Sequence, residues 1–488
     1  MVVSPVRCLT LVLVVGLLVM WFTGSVGARE LTFVEALQLG VGQSSRGAII
    51  QGDLEVAERK YYAERITFYV PEISINSSLP SFTSEQSFRL WGQPTKETVK
   101  TSDLDITSNI QLKQSLFTGG ELTARANLLN NESSYPLWGS TDVRIDETTL
   151  RGFFDFDLTQ PVLKPSENRY ALKNSRDDFH LAELQRVEDR ASLKTEIAEA
   201  YFGVLQTELK EEIASAKLRS ARLQAAIDSV KLQDKVLSEE DWLISASERI
   251  DAELELVGAD NEAAERNREL ASLLDLDVTE ELDLQIPFPQ RLADGEKEAY
   301  LKAWEESIPI RRARIEWEKA ERSADYEASS LGINGDLRAS YSLGRGEVDA
   351  DDRDDKDQIK TSSWGISLDI TFPVFDGGAS SAQVRAAEIA ADKKRLEFEK
   401  AQKSARAEIT NLVSRVEVGY RKLEVLRKQI DLSNERLKIA EYRFNDGQIS
   451  EIEFIESRVA FLETRDKYLE ELKQYVLDRI ALEGKYSA

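Results

Sequence analysis

Apolar and polar residues alternate with period two in several stretches of this chain, and the alternation repeatedly gives way to helical runs of unusual length. Residues 72–79 place Ile73, Ile75 and Ser77 on one side and Ser74, Asn76 and Ser78 on the other. A second alternation runs through Leu104, Ile106, Ser108, Ile110, Leu112, Gln114 and Leu116. It turns at Phe117, Thr118, Gly119 and Gly120 and resumes with Leu122, Ala124, Ala126 and Leu128. That is a hairpin signature. Phe154, Phe156 and Leu158 then alternate with Asp155, Asp157 and Thr159, so one face needs an apolar environment and the other needs water. The pattern returns as Ile333, Leu337, Ala339, Tyr341 and Leu343 against Asn334, Asp336, Arg338, Ser340 and Ser342, and again as Trp364, Ile366, Leu368, Ile370 and Phe372. Each segment is about ten residues, the length a tilted strand needs to cross a bilayer. A half-buried strand of a soluble sandwich alternates identically, so alternation alone leaves both readings open.

The helical runs weigh against the sandwich. Residues 31–69 read as one helix, with Leu31, Val34, Leu37 and Leu39 opening an apolar face ahead of a glycine-rich patch at 40–47. Residues 166–237 contain no proline and only Gly203; residues 379–444 contain no proline and only Gly419. At 1.5 Å per residue each run spans roughly 100 Å. Such lengths are stable only when packed side by side. After Asn445, Asp446 and Gly447, residues 450–483 return as a further helix with Ile452, Ile455, Val459, Leu462, Leu469, Leu472 and Val476 at helical spacing.

The unit is present twice. Phe154–Leu163 aligns without a gap on Ile366–Phe375, and Pro161 and Pro373 stand 212 positions apart. Ser238, Asp241, Trp242, Leu243 and Ser245 align on Ser450, Glu453, Phe454, Ile455 and Ser457 at the same offset. The expected organisation is a signal peptide at 1–28, a first repeat at 29–276, a linker at 277–296 and a second repeat at 297–488. The copies differ between their strands, where the first carries about 51 additional residues, and a fixed period of repetition makes such departures readable. We expect an inserted hairpin over about 83–150, against the alternative of a long outer loop.

Composition narrows the class. Arg7, the apolar run from Leu9 to Phe22 and the small residues Val26, Gly27 and Ala28 read as a cleaved secretory signal, with a membrane anchor as the alternative. The lone Cys8 leaves with it, so no disulfide framework is expected. The remaining 62 basic and 87 acidic residues give a net charge of −25, which argues against a nucleic-acid partner. No apolar run after Ala28 reaches the length of a transmembrane helix, so a membrane role would rest on strands. His180 is the only histidine, which excludes a histidine-based triad or metal site. Gly40 and Gly42 lack the third glycine and the preceding strand of a nucleotide fingerprint. The acidic loop from Asp349 to Asp357 could bind a divalent cation, although an unspaced acidic loop is more often simply hydrated. No enzyme, cofactor or metal is expected.

The stretch from Ile370 through Thr371, Pro373, Val374, Phe375 and Asp376 to Gly378, the hairpin from Tyr442 to Ser450 with Glu453 and Ile455, and the leucine-rich run 270–276 together resemble the TolC-like outer-membrane efflux proteins. The resemblance implies an α+β membrane protein. A trimeric transmembrane β-barrel is continued by a long antiparallel α-helical coiled-coil tunnel in the periplasm, with two internal repeats. It implies an exit duct for a tripartite efflux pump or a type I secretion system in the outer membrane of a Gram-negative bacterium. The expected partners are a homotrimer, a periplasmic adaptor, an inner-membrane transporter and outer-membrane lipid. A non-conducting periplasmic coiled-coil scaffold is the alternative.

The resemblance also assigns sites. The helical tips carrying Ser238, Asn445, Asp446, Gly447, Gln448 and Ser450 would touch the adaptor. Glu453 and Glu456 would form carboxylate rings at the channel constriction, with Asp241 in the closing network. Ile449 stands where a basic partner is expected, so closure would lean on Phe444 and Trp242. Ser238 with Asp241 and Ser450 with Glu453 also fit capping boxes, a purely structural role. Only the second tip has the turn glycine, so the first tip, with Lys235 in the corresponding segment, is expected to differ in turn geometry.

Overall fold

Local chemistry sets the element boundaries of the computed structural model, which describes residues 29–78, 80–89, 97–136, 144–279, 282–350 and 357–486. The expected signal peptide with Cys8, and most of the acidic loop between Asp349 and Asp357, lie outside the described residues. The chain divides into two compact units. The first holds residues up to Asp53, Leu184–Ile310 and residues from Gln402; the second holds Leu54–Glu183 and Arg311–Ala401. Among the described residues no helix is long and apolar enough to cross a membrane.

In the first unit, strand β1 (Arg29–Leu31) runs parallel to β7 (Leu282–Leu284), pairing Leu31 with Leu284. Helix α1 (Phe33–Gly42) starts at Thr32, which forms a complete capping box with Glu35. Leu31 therefore ends a strand instead of opening a helix, and the single helix expected over 31–69 is two. The break lies at Gln43 and Ser44: the Ser44 hydroxyl accepts from the Gly47 amide at 3.1 Å, and Asp275 accepts from the Ser45 amide, so α2 (Ser45–Ile66) begins afresh. Val34 is exposed, and the buried positions of α1 are Ala36 and Gly40. The segment 277–296, expected as a linker, contains β7, and its Leu282, Leu284 and Leu292 join the hydrophobic cluster of this unit.

The helices of this unit are α3 (Glu167–Gln233), α4 (Glu239–Leu273), α5 (Asp294–Lys302), α7 (Ala379–Asn445) and α8 (Glu451–Glu483); α3 and α7 contribute to both units. Ile409, Leu412, Val413, Val416 and Leu423 of α7 pack with Leu462, Leu469, Leu472 and Tyr475 of α8 and with Ile197, Tyr201 and Phe202 of α3 in one hydrophobic cluster. Spacings of three, four and seven residues bring these side chains to one seam per helix. Full burial of each large apolar side chain contributes about 1.5–3 kcal/mol. Tyr201 ties the cluster to the small sheet, its hydroxyl proton shared between the carbonyls of Leu31 at 2.9 Å and Gln285 at 2.7 Å.

The second unit is built on a seven-stranded antiparallel sheet. Its strands are β2 (Glu72–Ser77), β3 (Ser81–Arg89), β4 (Glu97–Ser115), β5 (Glu121–Pro136), β6 (Arg144–Pro161), β8 (Asn334–Ala350) and β9 (Asp357–Thr371). The order is β2-β4-β5-β6-β8-β9, with β3 also on β4. Ser77 faces Ser108 and Ser81 faces Asp105, so the edge chain takes four steps where β4 takes three. Strands β2 and β3 are thus one bulged edge strand, and the sheet has six strand positions. Strands β4 to β6, β8 and β9 hold 15–19 residues, longer than the ten expected from alternation. The turn between β4 and β5 uses Gly119 at φ +92°, where an added Cβ would also collide with Ser166. Phe117 in this turn stacks on Phe68 at 5.3 Å. Helix α6 (Ile308–Ser330) is fastened to the start of α3 by Arg322, which meets the buried Asp177 at 2.6 Å. Helix α7 starts on Asp376, whose carboxylate accepts from the amides of Gly378 and Ser380; with the Ser380 bonds leading, its pKa is held down to about 2.

Replacing Tyr201 by Phe removes the tie between α3 and the small sheet while leaving the ring packed. The thermal unfolding midpoint of Tyr201→Phe should fall, in line with a loss of about 1–2 kcal/mol. An unchanged midpoint would show that the two carbonyls do not need the hydroxyl.

Candidate functional site

One face of the large sheet is apolar from edge to edge. Trp364 of β9 pairs with Tyr341 of β8, which pairs with Phe156 of β6; Ile366, Ala339 and Leu158 follow in the next such row. Ile75 and Ile110 continue this face at the opposite edge. The apolar stretch starts on β9 at Trp364 but extends to Leu343 on β8, Leu150 on β6, Leu128 on β5 and Leu104 on β4, so from β9 to β4 it shifts along the strands, with β5 one step short of β6. A level apolar belt on tilted strands produces this shift. Among the described residues these side chains stay largely exposed: Trp364 is 76% exposed and Ile75 74%.

The opposite face is polar and cross-linked. Asp155 accepts from Asn127 at 2.6 Å and from Ser342 at 2.5 Å, and Asp157 meets Arg125 at 3.4 Å. Lys113 meets Glu121 at 2.9 Å, Arg338 meets Asp369 at 3.3 Å, and Asn131 donates to Asp105 at 2.6 Å. Exposed pairs of this kind contribute little stability each, about 0–1 kcal/mol. Their effect is to line this face with charged and polar groups, while Leu129, Phe153, Val348 and Ile359 lie on it towards the end away from Asp157.

In the first unit, the two helical hairpin tips have the same backbone geometry. At the first, the amides of Asp234, Lys235 and Val236 donate to the carbonyls of Val230, Leu232 and Lys231 at 3.0, 3.0 and 2.8 Å. At the second, the amides of Asp446, Gly447 and Gln448 donate to Tyr442, Phe444 and Arg443 at 3.0, 2.9 and 2.7 Å. Lys235 has φ +57° and Gly447 has φ +68°. The expectation that a tip without glycine would turn differently is therefore corrected. Lys235 adopts the left-handed conformation itself, because the hydrogen bonds closing the helix demand it.

The returning helices start on the two serines. Ser450 and Glu453 make both bonds of a capping box, at 3.0 and 3.2 Å. At the first tip Ser238 accepts from the Asp241 amide at 3.1 Å, and the Asp241 carboxylate accepts from the Ser238 hydroxyl at 2.6 Å. Phe444 stacks on Phe454 at 5.3 Å across its own hairpin, and Trp242, the repeat counterpart of Phe454, is half-buried. Asn445, Asp446, Gly447 and Gln448 are all exposed, as are Asp241, Glu453 and Glu456. Glu456 lines a groove of about 410 Å³ with Lys217, Gln224 and Ile455. Below the first tip, hydrogen bonds from Gln224, Ser245 and Lys231 hold the Asp228 carboxyl below the usual range.

Residues 300–484 match the family model described as outer membrane efflux protein. The second repeat is an outer membrane efflux protein domain. Over 96 residues the chain is 27% identical to the outer membrane protein OprJ of Pseudomonas aeruginosa, a match that spans 20% of each protein. The fold resembles the CmeC outer membrane channel of Campylobacter jejuni, with TM-score 0.62, 13% identity, and coverage of 93% of this chain and 86% of that one. It also resembles the outer membrane protein VceC of Vibrio cholerae, with TM-score 0.58, 14% identity, and coverage of 93% and 96%. The MtrE outer membrane channel of Neisseria gonorrhoeae gives TM-score 0.57 at 15% identity, with coverage of 93% and 88%. The efflux-protein assignment places the chain in the outer membrane of a Gram-negative bacterium.

Several features of this efflux-protein fold were not evident from the sequence. The left-handed Lys235 follows from the 212-residue offset that sets it opposite Gly447, and the stacking partner Phe454 lies opposite Trp242 at the same offset. The bonds of the polar face depend on cross-strand register, which alternation does not give.

Lys235→Gly should relieve a left-handed cost of about 1–2 kcal/mol, and Gly447→Ala should impose one. Hydrogen exchange at the amides of Val236 and Gln448 reads both: protection should rise at the first tip and fall at the second. Equal protection in the two variants would contradict the shared turn geometry.

Proposed function

We propose that the protein is the outer-membrane exit duct of a tripartite efflux pump or a type I secretion system, a passive conduit made by three copies of this chain. The observation that carries this reading is the pairing of an exposed apolar sheet face, shifted as a level belt requires, with a predominantly polar, ion-paired opposite face. Lipid suits the first and a water-filled lumen the second. Three copies would supply about 18 strand positions, in the range where barrels leave an aqueous channel.

Exposed helical stripes support the trimer independently. Val236, Leu243, Ile250 and Val257, running from the first tip into α4, recur every seven residues, and so do Val418, Val425, Leu432 and Ile439 of α7. Helix α4 carries eleven acidic and three basic residues, while Lys428, Arg436 and Arg443 flank the α7 stripe on its exposed surface. Seams of this period and opposite charge suit packing of α4 from one copy against α7 of the next. Energy would come from an inner-membrane transporter reached through a periplasmic adaptor. The exposed tips at Ser238 and at Asn445, Asp446, Gly447, Gln448 and Ser450 suit the adaptor contact, and the threefold-repeated Glu453 and Glu456 would bias the narrow end towards cations. Phe444, stacked on Phe454, and the half-buried Trp242 would stiffen that end, with Asp241 next to Trp242 in the chain.

The purified detergent-extracted protein should run as a trimer and give discrete conductance steps in planar bilayers; a scaffold would give none. In the same measurement Glu453→Ala with Glu456→Ala should keep the conducting trimer while its cation-over-anion preference falls towards unity. Unchanged preference would remove the carboxylate rings from the account.

A further inference from the structure

Two cations mark the end of the apolar face farthest from the strand ends that adjoin α6 and α7. Arg345 of β8 and Lys360 of β9 are direct cross-strand partners. On this face Arg345 is the first residue beyond Leu343, and Lys360 lies just past Trp364 and Ser362. Both are exposed, and neither meets a carboxylate among the described residues. Lys113, Arg125 and Arg338 on the polar face, by contrast, each do. Like charges directly opposite one another destabilise a sheet, so a pair left in this state calls for an anion. The β6 neighbour of Arg345 is Gly152, where an added Cβ would meet nothing nearer than backbone oxygens at 4.0 Å, which leaves an open shelf beside the guanidinium. The nearest acidic residue along β8 on the same face, Glu347, lies one step farther along the strand, between Gln358 of β9 and Leu150 of β6.

We infer that Arg345 and Lys360 form a binding site for the phosphate of an outer-leaflet glycolipid. This rests on the apolar face lying in the membrane with its far end towards the outer leaflet. The pair stands where acyl chains give way to head groups. A guanidinium fork and an ammonium from neighbouring strands can grip one phosphate from two directions, while the acyl chains lie against Trp364, Tyr341 and Leu343. A free phosphate ion gains only the charge contact; a lipid gains the apolar contact as well.

Binding of lipid A carrying both phosphates, of the same lipid after dephosphorylation, and of inorganic phosphate is measured on the detergent-solubilised protein by native mass spectrometry. Wild type should retain phosphorylated lipid A at least about tenfold better than the dephosphorylated form, since each basic residue at a membrane surface is worth about fivefold. Arg345→Ser with Lys360→Ser should abolish that preference, and Lys164→Ser, which removes a cation elsewhere, should keep it. Undiminished preference in the double variant would overturn the site. Complete displacement of the lipid by excess inorganic phosphate would assign the pair to a free anion and overturn the lipid. Bilayer conductance of the same preparations separates the premises: wild type that conducts while the double variant binds normally sinks the site alone, and wild type that never inserts sinks the duct reading.

Discussion

Unpaired backbone at the edges of an apolar-faced sheet is the constraint on which the structure turns. The bulged chain of β2 and β3 forms one edge and β9 the other, and no strand among the described residues pairs with the outer N–H and C=O groups of either. In water those groups are solvated, but the apolar face is not accommodated. In lipid the face is accommodated, but each unpaired group costs several kcal/mol. In the proposed duct, closure by further copies would meet both demands. The shift of the apolar belt across the strands and the ion-paired opposite face have their natural place in a closed, tilted barrel.

Duplication explains the helical half in the same terms. Two tips 212 residues apart reach one hydrogen-bond pattern with different residues at the critical position. Gly447 adopts the left-handed turn freely, whereas Lys235 takes it at a cost. Both returning helices start on a serine cap, and only the longer Glu453 side chain reaches back to complete the box. Glu453 therefore has a structural duty before any role in conduction. A substitution there tests both, and the conducting trimer serves as the control for the first.

Much of this was legible in the sequence for specific reasons. Alternation at Phe154, Phe156 and Leu158 marks a strand because a half-apolar sheet face forces period two. The turn at Gly119 and Gly120 marks a hairpin because the chain there needs a left-handed residue. The 212-residue offset fixes both tips. Strands β1 and β7 were not legible: three residues each, some 250 positions apart, have no period to detect, and their pairing rests on tertiary contacts with Tyr201. The break at Ser44 was hidden because it is made by a side-chain cap and by Asp275, far away in sequence. Among site residues, Glu453 and Gly447 are assigned by the family resemblance, and spacing adds only the capping box of Ser450 with Glu453. Arg345 and Lys360 were not legible, because neither is unusual until the register between β8 and β9 sets them side by side.

Cross-linking between sheet edges tests the central claim most directly. The only native cysteine is Cys8, so introduced pairs are nearly free of background. Ser74→Cys on β2 is combined in turn with Ser363→Cys, Ser367→Cys or Asp369→Cys on β9, and the protein is oxidised in its native membrane. Closure by three copies predicts that the pair in register yields a covalently closed trimer while the others yield little. Monomer alone from every pair, or a link confined within one chain, would contradict it.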